Sequence, residues 1–229
     1  MQTLLNTPHE IIQQNILGAA AKAKTRILNI LVLGIMAGSF IAMGAQSSSL
    51  AVHNISNVGL ARTLAGCIFP VGLMMIVFVG GELFTGDCMM SMAWMQRKIH
   101  FADMLRTLVL VYVSNFVGAA LIAFLVAHSG QYDYSSGALG AYTIKVAYGK
   151  VHLSFANALV SGILCNILVC VAVLMAAAAK DIAGKVLAIF FPILAFVVSG
   201  FEHCVANMYY IPAGIFASKN AVYAAKALE

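Results

Sequence analysis

The segment SGFEHCVANMYYIP, residues 199–212, places three polar side chains inside an otherwise apolar stretch of the chain. One of them, His203, has an imidazole that can donate a hydrogen bond to an anion or transfer a proton near neutral pH. Ionisable groups in lipid-embedded sequence are costly and usually serve a function. The sequence therefore predicts that His203 faces a path for a small solute, and that Asn207 supports the irregular backbone around it.

A second polar interruption, GGELFTGD at residues 80–87, repeats the order of glycine and then glutamate. Glu82 and Glu202 would repel an anion, so we expect each carboxylate to accept hydrogen bonds from backbone N–H groups that its interruption exposes. Thr85 offers a hydroxyl group within the same segment. The glycines expected to shape the two interruptions are Gly81, Gly86 and Gly200.

The composition indicates that most of the chain lies in lipid. Of its 229 residues, 62% are hydrophobic and 9% are charged, whereas a soluble domain has about 25% charged residues. The net charge of +5 comes from 13 Lys and Arg residues that lie mostly at the ends of apolar runs. That distribution sets membrane topology and argues against nucleic-acid binding. The five cysteines form no CxxC pair, so no metal, disulfide or cofactor is expected.

Five apolar runs are long enough to cross the roughly 30 Å hydrocarbon core of a bilayer. They lie near residues 27–46, 63–80, 105–128, 154–179 and 186–200. The segments SSSLAVHN (residues 47–54) and SGQYDYSSG (residues 129–137) have the turn residues expected of connections. Lys and Arg residues precede the first run and lie between the second and third runs and between the fourth and fifth. This bias predicts a cytoplasmic N-terminus.

The second and fifth runs are interrupted at corresponding places. Each contains Phe-Pro, then about half a crossing of apolar residues, then glycine and glutamate. Matching interruptions of this kind indicate an inverted repeat with discontinuous helices around a central site. Non-helical backbone at this depth survives only where it is buried in protein or lines a cavity.

Three segments, in this order, resemble the formate/nitrite transporter family, which moves small monovalent anions and their acids. GGELFTGD resembles the loop that interrupts the family's second helix, and residues 150–173 resemble its fourth helix. Residues 195–212 resemble its interrupted fifth helix with the central histidine, and the resemblance extends from about residue 20 to 217. It implies an all-α membrane protein with an aquaporin-like inverted three-plus-three helix repeat and interrupted second and fifth helices. It also implies a homopentamer with a pore in each subunit.

The chain departs from the family pattern in two places. The family has six spans, and this sequence ends after the fifth, so we interpret the sixth helix as absent from this chain, as in a fragment. Asp87 stands where many family members have asparagine. We divide the chain into a cytoplasmic amphipathic segment (residues 1–25), a channel domain with five spans (residues 26–217), and an external tail or truncated loop (residues 218–229).

The resemblance also implies which side chains line the path. Thr85 and Asn166 are expected beside His203, and Lys150 is expected to attract anions near the path, although a lysine at the end of a span often only extends to the interface. The apolar constriction is expected to consist of Phe69, Leu73, Leu83, Phe84, Val169 and Phe196. Apolar rings of this kind exclude hydrated ions and admit small or neutral species.

The expected function is passage of a small monovalent weak-acid anion across the cell inner membrane, with formate first and nitrite or hydrosulfide as alternatives. His203 could lend a proton so that the neutral acid crosses the apolar ring. A water channel of the aquaporin type would need paired Asn-Pro-Ala motifs, and the sequence has none. A haem- or quinone-binding subunit of a redox enzyme would need facing histidines, and only one of the six lies deep in an apolar run. No enzymatic activity is expected.

Overall fold

The computed structural model describes residues 5–229, which form helices joined by short turns. In chain order the helices are α1 (Pro8–Lys22), α2 (Ile27–Val52), α3 (Val58–Ile68), α4 (Val71–Val79), α5 (Phe84–Asp87), α6 (Met90–Met95), α7 (Phe101–Ala127), α8 (Tyr134–Val151), α9 (Phe155–Ala178), α10 (Ile182–Ser199), α11 (Cys204–Ala217) and α12 (Ala221–Ala227). Residues 1–4, the start of the predicted N-terminal segment, lie outside the described residues.

Five helical stretches in the described chain are long and apolar enough to cross a membrane, as the sequence predicts. They are Ile27–Val52, Val58–Val79, Phe101–Ala127, Phe155–Ala178 and Ile182–Ser199. The second stretch consists of α3 and α4, which meet at Pro70. Proline lacks an N–H group and cannot continue the hydrogen-bond ladder of a helix, so the two segments are joined by a turn.

One predicted connection is helical. The sequence predicts a connection at residues 47–54, but α2 continues through this segment to Val52. The side chains of Ser48 and Ser49 are buried there, and the Ser48 hydroxyl donates to the carbonyl of Ala45 at 2.9 Å. Serine is a poor predictor of a turn here because its hydroxyl is satisfied inside the helix and its small size allows close packing.

Two helices, α8 and α12, were not predicted. α8 begins at Tyr134, inside the predicted connection at residues 129–137, and the segment expected as a tail or truncated loop contains α12. The ring of Tyr223 in α12 packs against Gly137 and Gly140 of α8, and its hydroxyl donates to Asp133. These tertiary contacts hold two helices whose sequences alone are only weakly apolar.

Helices α2 and α7 pack more closely than larger side chains would permit. A Cβ atom on Gly118 would lie 2.0 Å from the carbonyl oxygen of Ile35, and one on Gly38 would lie 2.1 Å from the carbonyl oxygen of Asn115. Small residues at helix interfaces in membranes allow this approach. The contact fixes α7 against α2 and carries Asn115 to the interruption in the second span.

Two spans are interrupted, as the sequence predicts. Residues 80–83, the first break, separate α4 from α5, and residues 200–203, the second break, separate α10 from α11. Each break begins with a glycine of positive φ, Gly80 at 103° and Gly200 at 72°. Glycine adopts such values without the steric cost that other residues have.

Candidate transport site

His203 is the central polar residue of the second break. It is 4% exposed and occupies the N-cap position of α11, where its Nδ1 accepts a hydrogen bond from the N–H of Ala206 at 3.1 Å. A neutral imidazole that accepts at Nδ1 has its proton on Nε2. The Nε2 atom lies 3.2 Å from the hydroxyl oxygen of Thr85, so the ring presents a hydrogen-bond donor toward the first break.

The hydrogen bond between His203 and Thr85 joins the two breaks. Thr85 is buried and lies in α5, directly after the first break. Phe196 stacks on the imidazole with ring centroids 5.8 Å apart, and Phe69 meets Phe196 edge to face at 5.5 Å. A donor and a hydroxyl therefore lie beside a pair of contacting aromatic rings.

The other predicted constriction residues lie in the same apolar core. Leu73, Leu83 and Val169 are buried in one cluster with Phe69 and Phe196. Phe84 is only partly buried, and its ring meets that of Tyr112 on α7 at 5.0 Å. Phe84 also lines a groove along α9, so it lies at the edge of the cluster.

A small cavity of about 100 Å³ lies beside His203 and is also lined by Lys150. The Nζ atom of Lys150 lies 2.7 Å from Oε1 of Glu202 and 5.8 Å from the ring centroid of Tyr210. Lys150 is therefore near the histidine, and one carboxylate partly balances its charge.

A wider vestibule of about 390 Å³ adjoins this cavity and carries excess positive charge. Its charged lining residues are Arg62, Lys145, Lys150 and Glu202. Lys145 and Arg62 were not predicted, because α8 and α3 bring them to the vestibule only through tertiary packing. A concave surface of one charge sign raises the local concentration of the oppositely charged solute.

The two glutamates do not have the backbone partners that we expect from the sequence. Glu202 accepts hydrogen bonds from Nζ of Lys150 at 2.7 Å and from Nδ2 of Asn207 at 2.9 Å. Glu82 forms an ion pair with Lys22 of α1. A partly buried carboxylate needs a compensating charge, and a lysine supplies one at each break.

The backbone of the first break is satisfied by Asn115 of α7. Its Nδ2 donates to the carbonyl oxygens of Gly34 and Glu82 at 2.8 Å each, and its Oδ1 accepts from the N–H of Phe84 at 3.0 Å. The sequence indicates only helix packing for Asn115, because its partners lie up to 81 positions away. No local signal identifies it.

The predicted glycines differ in their importance. Gly200 is required by its positive φ, and a Cβ atom there would lie 2.6 Å from the guanidinium of Arg62. At the first break the positive φ belongs to Gly80. Gly81 packs against Ala37, and a Cβ atom added to Gly81 would lie 3.2 Å from the Cβ atom of Ala37. Gly86 has room for a side chain, because an added Cβ would make only an ordinary contact at 4.0 Å.

Asn166 does not join the hydrogen bonds of His203. It lines a separate groove of about 720 Å³ along α9, and Thr85 and Asn207 also border that groove. The buried Oδ1 atoms of Asn166 and Asn207 have no hydrogen-bond partner. Of the predicted path residues, the structure thus brings together His203, Thr85 and Lys150, and Asn166 lies on the far side of Thr85.

A second charged cluster, which was not predicted from the sequence, lies at the first break. Lys22 of α1 contacts the carboxylates of both Glu82 and Asp87. Burial alone would lower the pKa of Lys22, but the two carboxylates raise its pKa above the usual value, so this lysine stays charged. Lys22 lies 65 positions before Asp87, a separation that gives no local signal.

These features define the class of the protein. Interrupted spans whose breaks meet at a buried polar pair, beside a cationic vestibule, are the architecture of a membrane transporter or channel for a small solute. The formate/nitrite transporter family model matches residues 9–228, and the chain belongs to that family. It is therefore a multi-pass membrane protein of a transport family and not an enzyme.

Named relatives agree with this assignment. The chain is 39% identical over 213 residues to the uncharacterized transporter YrhG of Bacillus subtilis (strain 168), covering 92% of this chain and 80% of the relative. It is 38% identical over 213 residues to the formate channel BtFdhC of Bacillus thuringiensis, covering 92% of this chain and 82% of that protein. A solved pentameric formate channel with formate bound has a TM-score of 0.78 at 31% identity, covering 87% of this chain and 80% of that one.

Proposed function

We propose that the protein conducts a small monovalent weak-acid anion across the cell inner membrane, with formate as the first candidate and nitrite or hydrosulfide as alternatives. The observation that carries this proposal is the buried pair of His203 Nε2 and the Thr85 hydroxyl, 3.2 Å apart and next to the rings of Phe196 and Phe69. The relatives named as formate channels support formate as the substrate.

The geometry offers compensation for the water that an anion loses. An unsolvated anion at the bilayer centre costs several kcal/mol or more. In our proposal Lys150, Lys145 and Arg62 concentrate anions in the vestibule, and the His203 and Thr85 donors then replace part of the hydration shell. The N-terminal end of α11, which starts at the second break, adds positive potential.

The hydrogen bonds of His203 favour a donor role over proton lending. In the neutral ring, Nδ1 accepts the hydrogen bond from the N–H of Ala206. An imidazolium has a proton on both nitrogens, so its Nδ1–H would point at that N–H and the hydrogen bond would be lost. Protonation would therefore remove the cap of α11, a contribution of about 1 kcal/mol, and would bury a charge. The alternative, in which the histidine lends a proton and the neutral acid crosses, requires that rearrangement.

We further propose that Phe69, Leu73, Leu83, Phe84, Val169 and Phe196 form the constriction. Phe69 and Phe196 contribute most directly, since their rings meet beside the imidazole. Asn166 contributes from the neighbouring groove. Glu82, Glu202 and Asn207 act as structural residues at the breaks, with the glycines at positions 81, 86 and 200.

We also propose that the chain is built as an inverted three-plus-three repeat. Glu82 and Glu202 occupy corresponding places, because the N–H of Glu82 donates to the Leu33 carbonyl of α2 and the N–H of Glu202 donates to the Ser161 hydroxyl of α9. Each break is thus held by the first helix of its own half. A homopentamer with one path in each subunit is supported by the pentameric solved channel.

The topology that we propose places the N-terminus in the cytoplasm. Arg106 donates to the carbonyl of Ala23 at 2.7 Å, and Leu5 pairs with Ala179. These contacts gather the Lys- and Arg-bearing segments at one end of the molecule, which positive-inside bias assigns to the cytoplasm. The cytoplasmic segment then covers residues 1–25, the channel domain residues 26–217, and the external segment residues 218–229.

The test is labelled formate flux into proteoliposomes, with nitrite and hydrosulfide as competitors. We expect saturable formate flux well above that of protein-free vesicles. His203→Asn keeps an oxygen that can cap α11 and an N–H that can donate, so its flux should keep the pH dependence of the wild type. A changed pH dependence would favour proton lending, and His152→Asn, at an exposed histidine, is the matched control. Absence of wild-type flux for all three anions would contradict the proposed function.

A further inference from the structure

Charged clusters of matching design lie at the two breaks. The second break has Lys150, Glu202 and Asn207, and the first break has Lys22, Glu82 and Asp87. In both clusters a lysine from another helix pairs with the glutamate, and the third residue follows that glutamate by five positions. The clusters differ only in this third residue, which is an amide at one break and a carboxyl group at the other.

The amide and the carboxylate have different hydrogen-bonding capacity. Nδ2 of Asn207 donates to Oε2 of Glu202 at 2.9 Å. An ionised Asp87 has no hydrogen to donate to Glu82. Two carboxylates then share the single ammonium of Lys22, and the cluster has one net negative charge, whereas the cluster at Lys150 is neutral. Neighbouring carboxylates disfavour ionisation of both.

One oxygen of Asp87 lacks a partner. Asp87 is 3% exposed; its Oδ1 accepts from Lys22, and its Oδ2 is buried without a hydrogen-bond partner. A buried carboxylate oxygen left unsatisfied costs free energy. A proton on Oδ2 would neutralise the Asp87 carboxylate and would give it a donor toward Glu82, as Asn207 has toward Glu202 at the other break.

The cluster has access to water from the side of α1. The side chain of Lys22 is 26% exposed and lines a pocket of about 290 Å³. Gln14, Asn15 and Gly18 of α1 also line this pocket. A proton can therefore exchange between this pocket and the carboxyl pair without crossing the apolar constriction.

Other titratable side chains lie on the elements next to the pair. In the described part of the chain they include Cys88 after α5, Cys170 on α9 and His203, which both contact Thr85, and Arg106 on α7, which donates to the carbonyl of Ala23. Lys22 is the cation that contacts both carboxylates. A change in proton occupancy therefore changes the net charge of the cluster directly.

We propose that Asp87 and Glu82 together bind one proton beside Lys22, and that this proton determines how readily an anion passes the α1 end of the path. The proposal of flux control rests on the proposed anion transport. With the proton bound, the first cluster is neutral and equivalent to the cluster at Lys150. Without it, a negative charge two residues from Thr85 repels the anion.

Infrared difference spectroscopy of the complete protein tests proton binding without any transport. On acidification the wild type should gain the carbonyl stretch of a protonated carboxylic acid, and Asp87→Asn should lack that band. Asn207→Asp, the mirrored variant, should gain an additional band. An identical band in the wild type and Asp87→Asn would overturn the proposal, and so would an Asn207→Asp spectrum like that of the wild type.

Formate flux at matched pH on both sides of the vesicle tests the consequence. The ratio of Asp87→Asn flux to wild-type flux should be close to one at acidic pH and should rise to about tenfold at alkaline pH, because the variant lacks one buried negative charge. Asn207→Asp should lose flux as the pH rises. A flux ratio that stays constant with pH would contradict the flux control but not the proton binding. Absent wild-type flux would contradict the proposed function. In either case the infrared bands decide whether the proton binds.

Discussion

The two helix breaks share a backbone plan, but a different residue follows the glutamate in each. The first break continues with Leu83 and the second with His203. Both side chains are buried, yet Leu83 joins the apolar core and His203 donates toward Thr85. One half of the molecule thus supplies an apolar wall and a hydroxyl, and the other supplies the titratable ring.

The breaks are also stabilised in different ways. Asn115, on a neighbouring helix, satisfies two backbone groups of the first break, the carbonyl of Glu82 and the N–H of Phe84, and also donates to the carbonyl of Gly34 in α2. At the second break His203 itself caps α11. In the proposed function, structural support and transport chemistry are therefore separate at the first break and combined in one residue at the second. A substitution at His203 disturbs both, so Asn115 and Thr85 are better positions for testing each role by itself.

The largest expected effect comes from removing the support of the first break. Asn115→Ala leaves the carbonyl of Glu82 and the N–H of Phe84 without their partner. Each loss costs about 1–3 kcal/mol, so the free energy of unfolding should fall by roughly 4 kcal/mol. Unfolding in detergent, followed by the fluorescence of Trp94, measures this loss. Ser161→Ala, which removes one acceptor from the second break, should cost about 1–2 kcal/mol. Equal losses of unfolding free energy in Asn115→Ala and Ser161→Ala would contradict the claim that the two breaks are stabilised in different ways.

The next effect concerns the hydroxyl that the first break contributes to the path. Thr85→Val keeps the shape of the side chain and removes a hydrogen bond that is worth about 1.5–3 kcal/mol toward a charged group. Formate flux in proteoliposomes should therefore fall roughly tenfold or more. Thr143→Val is the matched control, since the buried Thr143 hydroxyl donates to the carbonyl of Leu139. Similar flux in both variants would show that Thr85 does not contact the anion.

Replacing Lys150, the cation of the second cluster, should lower formate flux by an amount that depends on whether Glu202 is still charged. Lys150→Met leaves the carboxylate of Glu202 without its ion pair, and the uncompensated negative charge beside His203 should lower formate flux about tenfold. Lys150→Met with Glu202→Gln removes both charges and should recover part of the flux. If the double variant transports no better than the single variant, Lys150 acts by attracting the anion and not by neutralising Glu202.

The smallest effect is expected at the vestibule. Lys145→Gln removes one of its cations, and formate uptake at low ionic strength should fall about two- to threefold because of weaker electrostatic attraction. The difference should disappear at high salt, which screens charges beyond a few ångströms. Lys219→Gln, at a lysine that lies over Phe216 and outside the vestibule lining, is the control and should leave uptake unchanged at both salt concentrations.

Hydropathy and local pattern predict the spans and both breaks. About twenty consecutive apolar residues are expected to cross the bilayer as a helix. Glycine followed by glutamate within such a run is not expected on a continuous helix that faces lipid, so it predicts an interruption. The helical end of α2 was wrongly predicted as a connection, because serine residues 47–49 are typical of turns in water but pack well between helices. α8 was missed because its lysines and small residues are held by contacts with α11 and α12.

Only part of the site was predicted, because some of its contacts depend on tertiary packing. His203 is recognisable because an ionisable residue in an apolar run usually has a function, whereas the family resemblance was needed to place Thr85 beside it. The pairing of Glu82 with Lys22 and the contacts of Asn115 depend on which helices meet, and sequence spacing carries no such information. The five-position spacing from Glu82 to Asp87 and from Glu202 to Asn207 is the one local signal that links the two clusters.

A structure of the complete protein in lipid with formate present tests the central claim most directly. We expect an anion within hydrogen-bonding distance of both Nε2 of His203 and the hydroxyl of Thr85, beside the contacting rings of Phe69 and Phe196. The Nδ1 atom of His203 should still accept from the N–H of Ala206. An imidazole turned toward the acyl chains, or formate bound away from the junction of the two breaks, would contradict the account.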